Sequence, residues 1–404
     1  MGEKKLVYVD NNSTTRVDDE VIEAMRPYFT ELYGNPSSIH NFGGQVARKI
    51  ASARAQVAEL LGAQDTEIVF TSGGTESDNF AIKGVLEYFP DRRHIVTTKV
   101  EHHAVLNLCD KLATEGYQVT KLSVDRKGNL DLDEVRDSLR DDTAIVSVMY
   151  ANNETGVIFP VDTIGQIVKE RGITFHVDGV QAVGKIPINL KDSPIDLLSL
   201  SGHKFHAPKG IGALYVKRGT RIRPMMIGGH HERGRRAGTE NVPGIIGLAK
   251  ACELAKRFME DELTRVRGMR NRLEQNILSR FKNTLVNGDR EHRTPNTSNT
   301  SFEYVEGEAI LLYLDEKGIA ASSGSACTSG SLEPSHVLRA MGVPFTAAHG
   351  SVRFSLSRFN TDADIDCILS ELPPIIERLL QISPFGREVL QAKVQESCHE
   401  PYVD

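Results

Sequence analysis

The stretch IDLLSLSGHKFHAPKG, residues 195–210, passes from an apolar run into a polar turn that contains Ser201, His203 and Lys204. A short aliphatic run that ends in Ser and Gly is typical of a buried strand followed by a tight turn. A lysine directly after such a strand is partly desolvated, which lowers the pKa of its amine and favours Schiff-base chemistry. The alternative is a solvated surface lysine, but the neighbouring Ser, His and Gly have no evident packing role. The stretch therefore predicts a reactive lysine at the end of a core strand.

Six further runs of the same kind surround this strand, and helical patterns such as ESDNFAIKGVLEYF and TIGQIVKERG lie between them. The six runs are EIVFTSG, HIVTTKV, QVTKLSV, AIVSVMY, ITFHVDG and GALYVKR. Apolar strands that alternate with helices predict an α/β fold with a mostly parallel seven-stranded sheet covered on both faces. Ligands of such sheets bind outside the carboxyl ends of the strands. The polar residues at those ends are therefore the candidates for a site.

The alternation stops after a long charged helical stretch, and the later runs TSNTSFEY, GIAASSGS and SVRFSLS are typical of a smaller α+β unit. We predict a large domain over residues 16–257. Residues 1–15 and 258–404 are predicted to form a smaller α+β domain.

The composition of the 404 residues is that of a soluble globular protein, with 40% hydrophobic and 25% charged residues. The net charge of −6 argues against broad binding to nucleic acid. No apolar run approaches the roughly 20 residues needed to span a bilayer, and the N-terminus lacks a signal-peptide pattern. We therefore expect a cytoplasmic protein with neither a nucleic-acid nor a membrane partner.

The five cysteines are scattered, odd in number and without CxxC spacing, which argues against a disulfide framework or a zinc site. Cys109, Cys252 and Cys367 lie in helical patterns and are expected to be small apolar filler. Cys327 differs, because it lies in the Ser/Gly-rich stretch SSGSACTSGSLEPSH, residues 322–336. Without other motifs this stretch is typical of a linker.

Three further strand ends carry polar residues. FTSGGTESDNF leads through Gly74 and Thr75 into a helix, a geometry that suits phosphate, although Gly-Gly turns are often purely structural and the lysine of a Walker loop is missing. Asp178 ends the strand in FHVDGVQAVGK and could cap the next turn or hold a proton on a ring nitrogen. In TTKVEHHAVLN, His102 and His103 are adjacent in an extended segment, so at most one is expected to face the site. A phosphate, a protonated ring nitrogen and an aldehyde for a lysine together indicate pyridoxal 5′-phosphate (PLP).

Nine motifs make the chain resemble the fold-type I PLP enzymes and, much more closely, the cysteine desulfurases of the NifS/IscS group. They cover nearly the whole length: DNNSTTRVD, YGNPSSIH, FTSGGTESDN, ANNETGV, HVDGVQAVGK, SGHKFHAPKGIG, GGHHERGRRAGTEN, SSGSACTSGSLEPSHVLRAMG and SVRFSLSRFN. GRRAGTEN and the segment over residues 325–358 resemble NifS more than IscS.

The resemblance implies a role for each matching residue. Lys204 would bind the PLP aldehyde, Asp178 would pair with the ring nitrogen, and His102 would stack on the ring and help to move protons. The remaining implied contacts are phosphate binding by Gly74, Thr75, Ser201, His203 and Thr239 of a second subunit, ring-oxygen contact by Gln181, substrate and cofactor contact by Asn153, and substrate carboxylate binding by Arg353.

The implied reaction converts L-cysteine to L-alanine and leaves the sulfur as a persulfide on Cys327. The implied enzyme is a homodimer. No resident metal is implied, and Cys327 would contact a cluster only transiently. The implied acceptor is an iron–sulfur scaffold protein of the NifU/IscU type, and the sequence leaves open whether the sulfur serves nitrogenase maturation or general supply.

Two alternatives remain at this point. An aminotransferase or β-eliminating lyase on the same scaffold would not need Cys327, and a non-catalytic sulfur carrier would use the loop thiol without a cofactor. His336 and the charged residues Glu232, Arg233, Arg235 and Arg236 receive no role from the sequence. The four charged residues could shape the entrance to the site, contact a second subunit or be solvated.

Overall fold

The computed structural model describes residues 6–323 and 334–384, so Cys327 and Cys398 lie outside the described residues. A seven-stranded sheet forms its centre, with strand order β2-β8-β7-β6-β5-β3-β4. Its strands are β2 (Ile68–Thr71), β3 (His94–Thr98), β4 (Gln118–Leu122), β5 (Thr143–Met149), β6 (Thr174–Asp178), β7 (Leu197–Ser201) and β8 (Gly212–Val216). β8 runs antiparallel to both of its neighbours, whereas the other pairs are parallel. The predicted α/β fold with a mostly parallel seven-stranded sheet is therefore confirmed.

The strands β5, β6 and β7 place the polar strand ends side by side. Met149 pairs with Asp178, and Asp178 pairs with Ser199. These strands are buried, because helices cover both faces of the sheet, as their near-continuous aliphatic sequences require. Lys204 follows β7 in a short 3₁₀ turn, Gly202–Lys204, at the carboxyl edge of the sheet.

Fourteen α-helices occur among the described residues. They are α1 (Asp19–Met25), α2 (Pro27–Thr30), α3 (Asn41–Leu61), α4 (Gly74–Tyr88), α5 (His103–Thr114), α6 (Leu132–Ser138), α7 (Val161–Glu170), α8 (Val242–Arg257), α9 (Met259–Asp261), α10 (Arg267–Arg280), α11 (Gly307–Glu316), α12 (His336–Ala340), α13 (Phe345–His349) and α14 (Asp362–Ile382). No helix within residues 6–323 or 334–384 is long and apolar enough to cross a membrane.

A second hydrophobic core lies under a smaller antiparallel sheet of β9 (Thr284–Val286), β10 (Thr297–Phe302) and β12 (Ser351–Ser355). The N-terminal strand β1 (Val7–Tyr8) joins this region by parallel pairing with β11 (Ile319–Ala320). The late strands are therefore where their sequences predict them. Residues 337–348 pack against the first core rather than the second. The domain boundary near residue 258 stays a prediction.

The three cysteines within the described residues lie in helices. Cys109 in α5 and Cys252 in α8 are buried, and Cys367 in α14 is partly buried. Burial raises the pKa of the Cys109 thiol to about 12 and raises that of Cys252 as well. Neither buried thiol is a reactive nucleophile, in agreement with the filler role expected from their helical patterns.

Candidate active site

A cavity of about 300 Å³ opens at the carboxyl edge of the central sheet. It is lined by ten of the twelve residues to which the sequence gives a role: Gly74, Thr75, His102, Asn153, Asp178, Gln181, Ser201, His203, Lys204 and Arg353. Thr239 is exposed and does not line the cavity of its own chain, and Cys327 lies outside the described residues. The structure thus brings together residues that are up to 279 positions apart in the sequence, from Gly74 to Arg353.

Lys204 lies at one side of this cavity, with its amine half-buried. Its Nζ donates to the backbone carbonyl oxygens of Asn12 and Ser13, at 2.7 and 2.8 Å. The segment after β1 is fixed on the turn that carries the lysine, because Thr15 N–H donates to the His203 carbonyl oxygen at 2.9 Å. These contacts hold the amine inside the cavity rather than in solvent.

The start of α4 forms the part of the cavity suited to an anion. The first-turn N–H groups of a helix lack helical acceptors and carry the positive end of the helix dipole. A Cβ atom on Gly74 would lie 2.7 Å from Val180 Cγ2 and 3.5 Å from Ser201 Cβ. Glycine therefore allows the helix start to pack closely against Val180 and Ser201, in the turns at the ends of β6 and β7.

Asp178 is one of three buried carboxylic acids that we call the acidic cluster: Asp78, Glu101 and Asp178. Val180 N–H donates to Asp178 Oδ1 at 2.9 Å. Burial raises the pKa of Asp178 to about 6, although the Val180 hydrogen bond and the charge of Lys204 act in the opposite direction. Burial together with the charge of Asp178 also raises the pKa of Asp78.

Glu101 completes the acidic cluster. Its Oε1 accepts from Thr98 Oγ1 at 2.7 Å and from Met149 N–H at 3.0 Å, whereas its buried Oε2 has no hydrogen-bond partner among the described residues. Burial, reinforced by Asp178, raises the pKa of Glu101 to about 8 despite these hydrogen bonds. Glu101 is therefore predominantly neutral at pH 7.

A polar ladder lies below the acidic cluster and crosses three strands. Ser147 Oγ and Ser199 Oγ hydrogen-bond the two ring nitrogens of His176 at 2.8 and 2.9 Å. Asp78 Oδ1 lies 3.7 Å from His176 Nε2 and has no hydrogen-bond partner within the described part of the chain. Burial lowers the pKa of His176 to about 3, so this imidazole is neutral and supplies no charge to offset the acids.

Both adjacent histidines line the cavity, and the prediction that at most one would face it is wrong. The segment is not extended there, because His102 is the N-cap of α5 and His103 is the first helical residue. His102 Nδ1 accepts from Ala104 N–H at 3.1 Å. Burial, with a smaller effect of Lys204, lowers the pKa of His102 to about 4.

Arg353 on β12 is 2% exposed and connects three distant segments. It donates to Asp10 Oδ1 and Ser13 Oγ, each at 2.7 Å, and to the Asn153 carbonyl oxygen at 2.9 Å. Its Nε is buried without a hydrogen-bond partner in the described residues. We call Ser13, His103, Asn153, His336 and Arg353 the composite wall of the cavity, because they come from five separate segments.

The sequence interpretation missed several residues of this site. Asp78 and Glu101 were not identified, although both occur in the quoted motifs FTSGGTESDN and TTKVEHHAVLN, because neither motif indicates that these acids are buried. Lys185 was also missed: it is buried, donates to Gln181 Oε1 at 2.6 Å and to Asn12 Oδ1 at 2.9 Å, and burial lowers its pKa to about 7. The sequence offers little indication of their burial, since only Glu101 directly follows an apolar residue, Val100.

Two of the unassigned charged residues are not simply solvated. Glu232 accepts from Arg54 at 2.6 and 2.7 Å and from Phe70 N–H at 2.9 Å, and its side chain is 4% exposed. Arg236 donates to Glu76, in the first turn of α4, at 2.8 and 3.2 Å. These ion pairs anchor the segment that leads to Thr239.

The family model for class-V aminotransferases matches residues 7–368. The cysteine desulfurase of Trichormus azollae is 60% identical over 98% of this chain and 99% of its own length. The cysteine desulfurase NifS of Azotobacter vinelandii is 60% identical over 94% of each chain. Among solved structures, a NifS-like protein has a TM-score of 0.87 and 39% identity, covering 93% of this chain and all of its own.

The fold and the family match place this chain among the class-V aminotransferases, which have the fold-type I architecture. Within them, the chain belongs to the cysteine desulfurase family, because the identity of 60% extends over nearly the whole length of the relatives. The resemblance seen in the sequence is thus confirmed.

Proposed function

We propose that this chain converts L-cysteine to L-alanine with PLP bound at Lys204, and that Cys327 takes up the sulfur as a persulfide. The observation that carries the proposal is the position of the Lys204 amine in one cavity with Asp178 and the glycine-led start of α4. An amine, a buried acid and a helix N-terminus are the groups that an aldehyde, a ring nitrogen and a phosphate require.

The residues of the cavity fit this cofactor. Asp178 is a buried acid whose ionised form is disfavoured without a nearby cation, and a protonated ring nitrogen would provide that cation. Gly74, Thr75, Ser201 and His203 would hold the phosphate, with Thr239 contributed by the second subunit of a homodimer. When bound, PLP supplies an aldehyde that joins amines covalently and a conjugated ring that withdraws electrons from the substrate α-carbon.

The remaining roles belong to the chain itself. The Lys204 amine would remove and return the proton at the substrate α-carbon, and Asp178 would hold the ring nitrogen in its protonated form. His102 would contact the ring and help to move protons, while Gln181 would hydrogen-bond the ring oxygen. Arg353 binds the substrate carboxylate beside Asn153, since its planar fork of donors matches two carboxylate oxygens.

The overall reaction balances with one enzyme thiol. An S–S bond forms between Cys327 and the substrate sulfur, the substrate C–S bond breaks, and its electron pair stays on the β-carbon, which takes up a proton. Alanine and a persulfide result. The persulfide would then pass its sulfur to an iron–sulfur scaffold protein of the NifU/IscU type, for which the similarity to NifS is the support. A cytoplasmic location remains a prediction.

The test is to purify the protein with PLP and to compare Lys204→Ala and Cys327→Ala with the wild type. Borohydride reduction and peptide mass spectrometry should find the cofactor on Lys204, and Lys204→Ala should bind none covalently and form no alanine. Cys327→Ala should retain the cofactor but lose alanine formation. Cys109→Ala is the matched control, because that thiol is buried and un-ionised.

Each alternative has its own outcome. Formation of alanine or pyruvate by Cys327→Ala at the wild-type rate would indicate direct lyase chemistry, and formation of 3-mercaptopyruvate would indicate a transaminase. A wild-type protein that binds no PLP would indicate a sulfur carrier. Any of these results contradicts the proposal, as would the absence of an additional sulfur atom on Cys327 after incubation with cysteine.

A further inference from the structure

Two imidazoles with no assigned role meet at the composite wall. The ring centroids of His103 and His336 are 4.8 Å apart, with a tilt of 46° between the planes. His103 begins α5, which follows the central strand β3, whereas His336 begins α12, 233 residues later. Both side chains line the cavity that contains Lys204. The fold therefore places a pair of proton-exchanging groups beside the predicted reaction centre.

The hydrogen bond of His336 fixes its tautomer. Its Nε2 lies 3.0 Å from the backbone carbonyl oxygen of Glu101. A carbonyl oxygen can only accept, so Nε2 carries the proton. A neutral imidazole has a single N–H, which leaves Nδ1 of His336 as the nitrogen that can take up a proton.

His102 has the opposite arrangement. Its Nδ1 accepts from Ala104 N–H, so the proton of the neutral ring is on Nε2. A second proton could enter His102 only with loss of this helix cap. Of the two rings in contact with His103, that of His336 is therefore the better placed to accept a proton.

The surrounding charges keep the pair neutral. Burial lowers the pKa of His336, and Arg339 on α12 and Lys121 on β4 lower it further, against the hydrogen bond to Glu101. Burial and His336 lower the pKa of His103, against the effects of Glu154 and Asn107. Glu154 is itself buried and accepts from Ser335 Oγ at 2.5 Å, and burial raises its pKa. At neutral pH the pair is therefore in its proton-accepting form.

The proposed reaction needs such a group. Cys327 must lose its thiol proton before it can attack the substrate sulfur, and the ordinary pKa of a cysteine, about 8.5, leaves only a small thiolate fraction at neutral pH. The β-carbon of the alanine product gains one proton in the same turnover. One acceptor that later returns its proton satisfies both steps, while Lys204 serves the α-carbon.

We propose that His103 and His336 form a catalytic pair that accepts the thiol proton of the sulfur nucleophile, with His336 Nδ1 as the entry point. The pair is distinct from His102, which is committed to the helix cap and the cofactor. This inference rests on the proposed function, since it presupposes a thiol that must be ionised.

The experiment uses the PLP-loaded protein and the variants His336→Gln, His103→Asn and the double variant. Gln retains a donor for the Glu101 carbonyl oxygen but does not titrate near neutral pH. Single-turnover alanine formation should fall about 100-fold at pH 7 in His336→Gln, since positioned bases contribute about 10²–10⁴-fold. The loss should shrink above about pH 8.5, where the thiol ionises without help.

Two readouts separate this role from a structural one. In the absence of substrate, alkylation of Cys327 by iodoacetamide should require a higher pH in His336→Gln than in the wild type. The cofactor absorption band should be unchanged. The matched control is His349→Gln, a partly buried histidine that packs on Phe345 outside the cavity, and its pH profiles should equal those of the wild type.

The outcomes are distinct. If the double variant loses activity equally at every pH, or if its alkylation profile matches the wild type, the assignment of the pair is overturned. A wild-type protein that forms no alanine overturns the proposed function itself. A pH-dependent loss with a shifted alkylation profile and an intact cofactor band supports the pair.

Discussion

The acidic cluster and the composite wall form two sides of the same cavity but are built differently. Asp78, Glu101 and Asp178 lie on or beside neighbouring elements of the central sheet and lack cationic partners at ion-pair distance among the described residues. The wall contains Arg353, which joins Asp10, Ser13 and Asn153 through three hydrogen bonds. Burial raises the pKa values of the acids in the cluster. In the wall, the hydrogen bonds of Arg353 connect β12 with the segments that contain Asp10 and Asn153.

This difference predicts that substitutions in the two regions will have different effects. A neutral replacement in the acidic cluster should change chemistry or pH dependence without loosening the fold. Removal of Arg353 from the wall should cost stability as well as substrate binding, since this side chain is paired with groups from other segments.

The largest effect is expected from Asp178→Asn. Asn keeps an oxygen to accept from Val180 N–H but cannot hold a proton on the ring nitrogen as a carboxylate does. Alanine formation should fall on the order of 1,000-fold, with little change in the denaturation midpoint of the apoprotein. Single-turnover assays and urea titration measure the two quantities.

Asp196→Asn is the matched control for Asp178. Asp196 is partly buried and, like Asp178, accepts a backbone N–H, from Phe175 at 2.9 Å, but it does not line the cavity. Its replacement should leave turnover within about twofold of the wild type. Equal losses in the two variants would contradict a chemical role for Asp178.

The cluster and the wall also differ in how far the sequence predicts them. Asp178, Ser201, His203 and Lys204 lie within 27 residues, and each follows an apolar strand, so the parallel sheet alone brings them to one edge. Their position could be predicted because strand order and direction follow from local patterns. The burial of Asp78 could not, since it depends on the packing of α4 against β6 and β7.

The wall could be predicted only through the resemblance to a family. Arg353 and Asp10 are 343 residues apart, and no periodicity in either segment indicates that they meet. The contact between His103 and His336 likewise requires α5 and α12 to converge, which is a property of the tertiary fold. Local sequence patterns do not predict these long-range contacts, because segments hundreds of residues apart meet only through the packing of the whole core.

An intermediate effect, now on stability, is expected from Arg353→Ala. The change removes a buried cation from Asp10, whose side chain is 19% exposed, and leaves the Asn153 carbonyl without this donor. The free energy of unfolding should fall by about 3 kcal/mol, the usual cost of breaking a buried pair. The KM for cysteine should rise as well. Urea denaturation and steady-state kinetics test the two parts.

Arg272→Ala is the control for this variant. Arg272 also pairs with two acids, Asp362 and Asp366, but its side chain is 41% exposed. Solvent-screened pairs contribute little to stability, so the effect of its loss should be small. If Arg353→Ala were no less stable than Arg272→Ala, the wall would not have the connecting role described here.

The smallest effect is expected from Glu101→Gln, measured on the apoprotein as stability against pH. The folded-state pKa of Glu101, about 8, lies above its ordinary value of 4.5, so the folded chain binds the proton more tightly than the unfolded chain. The stability that this proton contributes is fully present below about pH 4.5 and is lost as the pH rises through about 8. Gln stays neutral, so the variant should match the wild type near pH 4 and be the more stable of the two near pH 9. Its amide oxygen can still accept from Thr98 and Met149, which keeps the local geometry intact.

Glu134→Gln is the control, since this acid accepts from Ser123 N–H at a partly exposed site away from the cavity, and it should show no such alkaline gain. An alkaline gain in both variants, or in neither, would mean that burial in the acidic cluster does not govern the protonation of Glu101, and the contrast between the two sides of the cavity would lose its electrostatic basis.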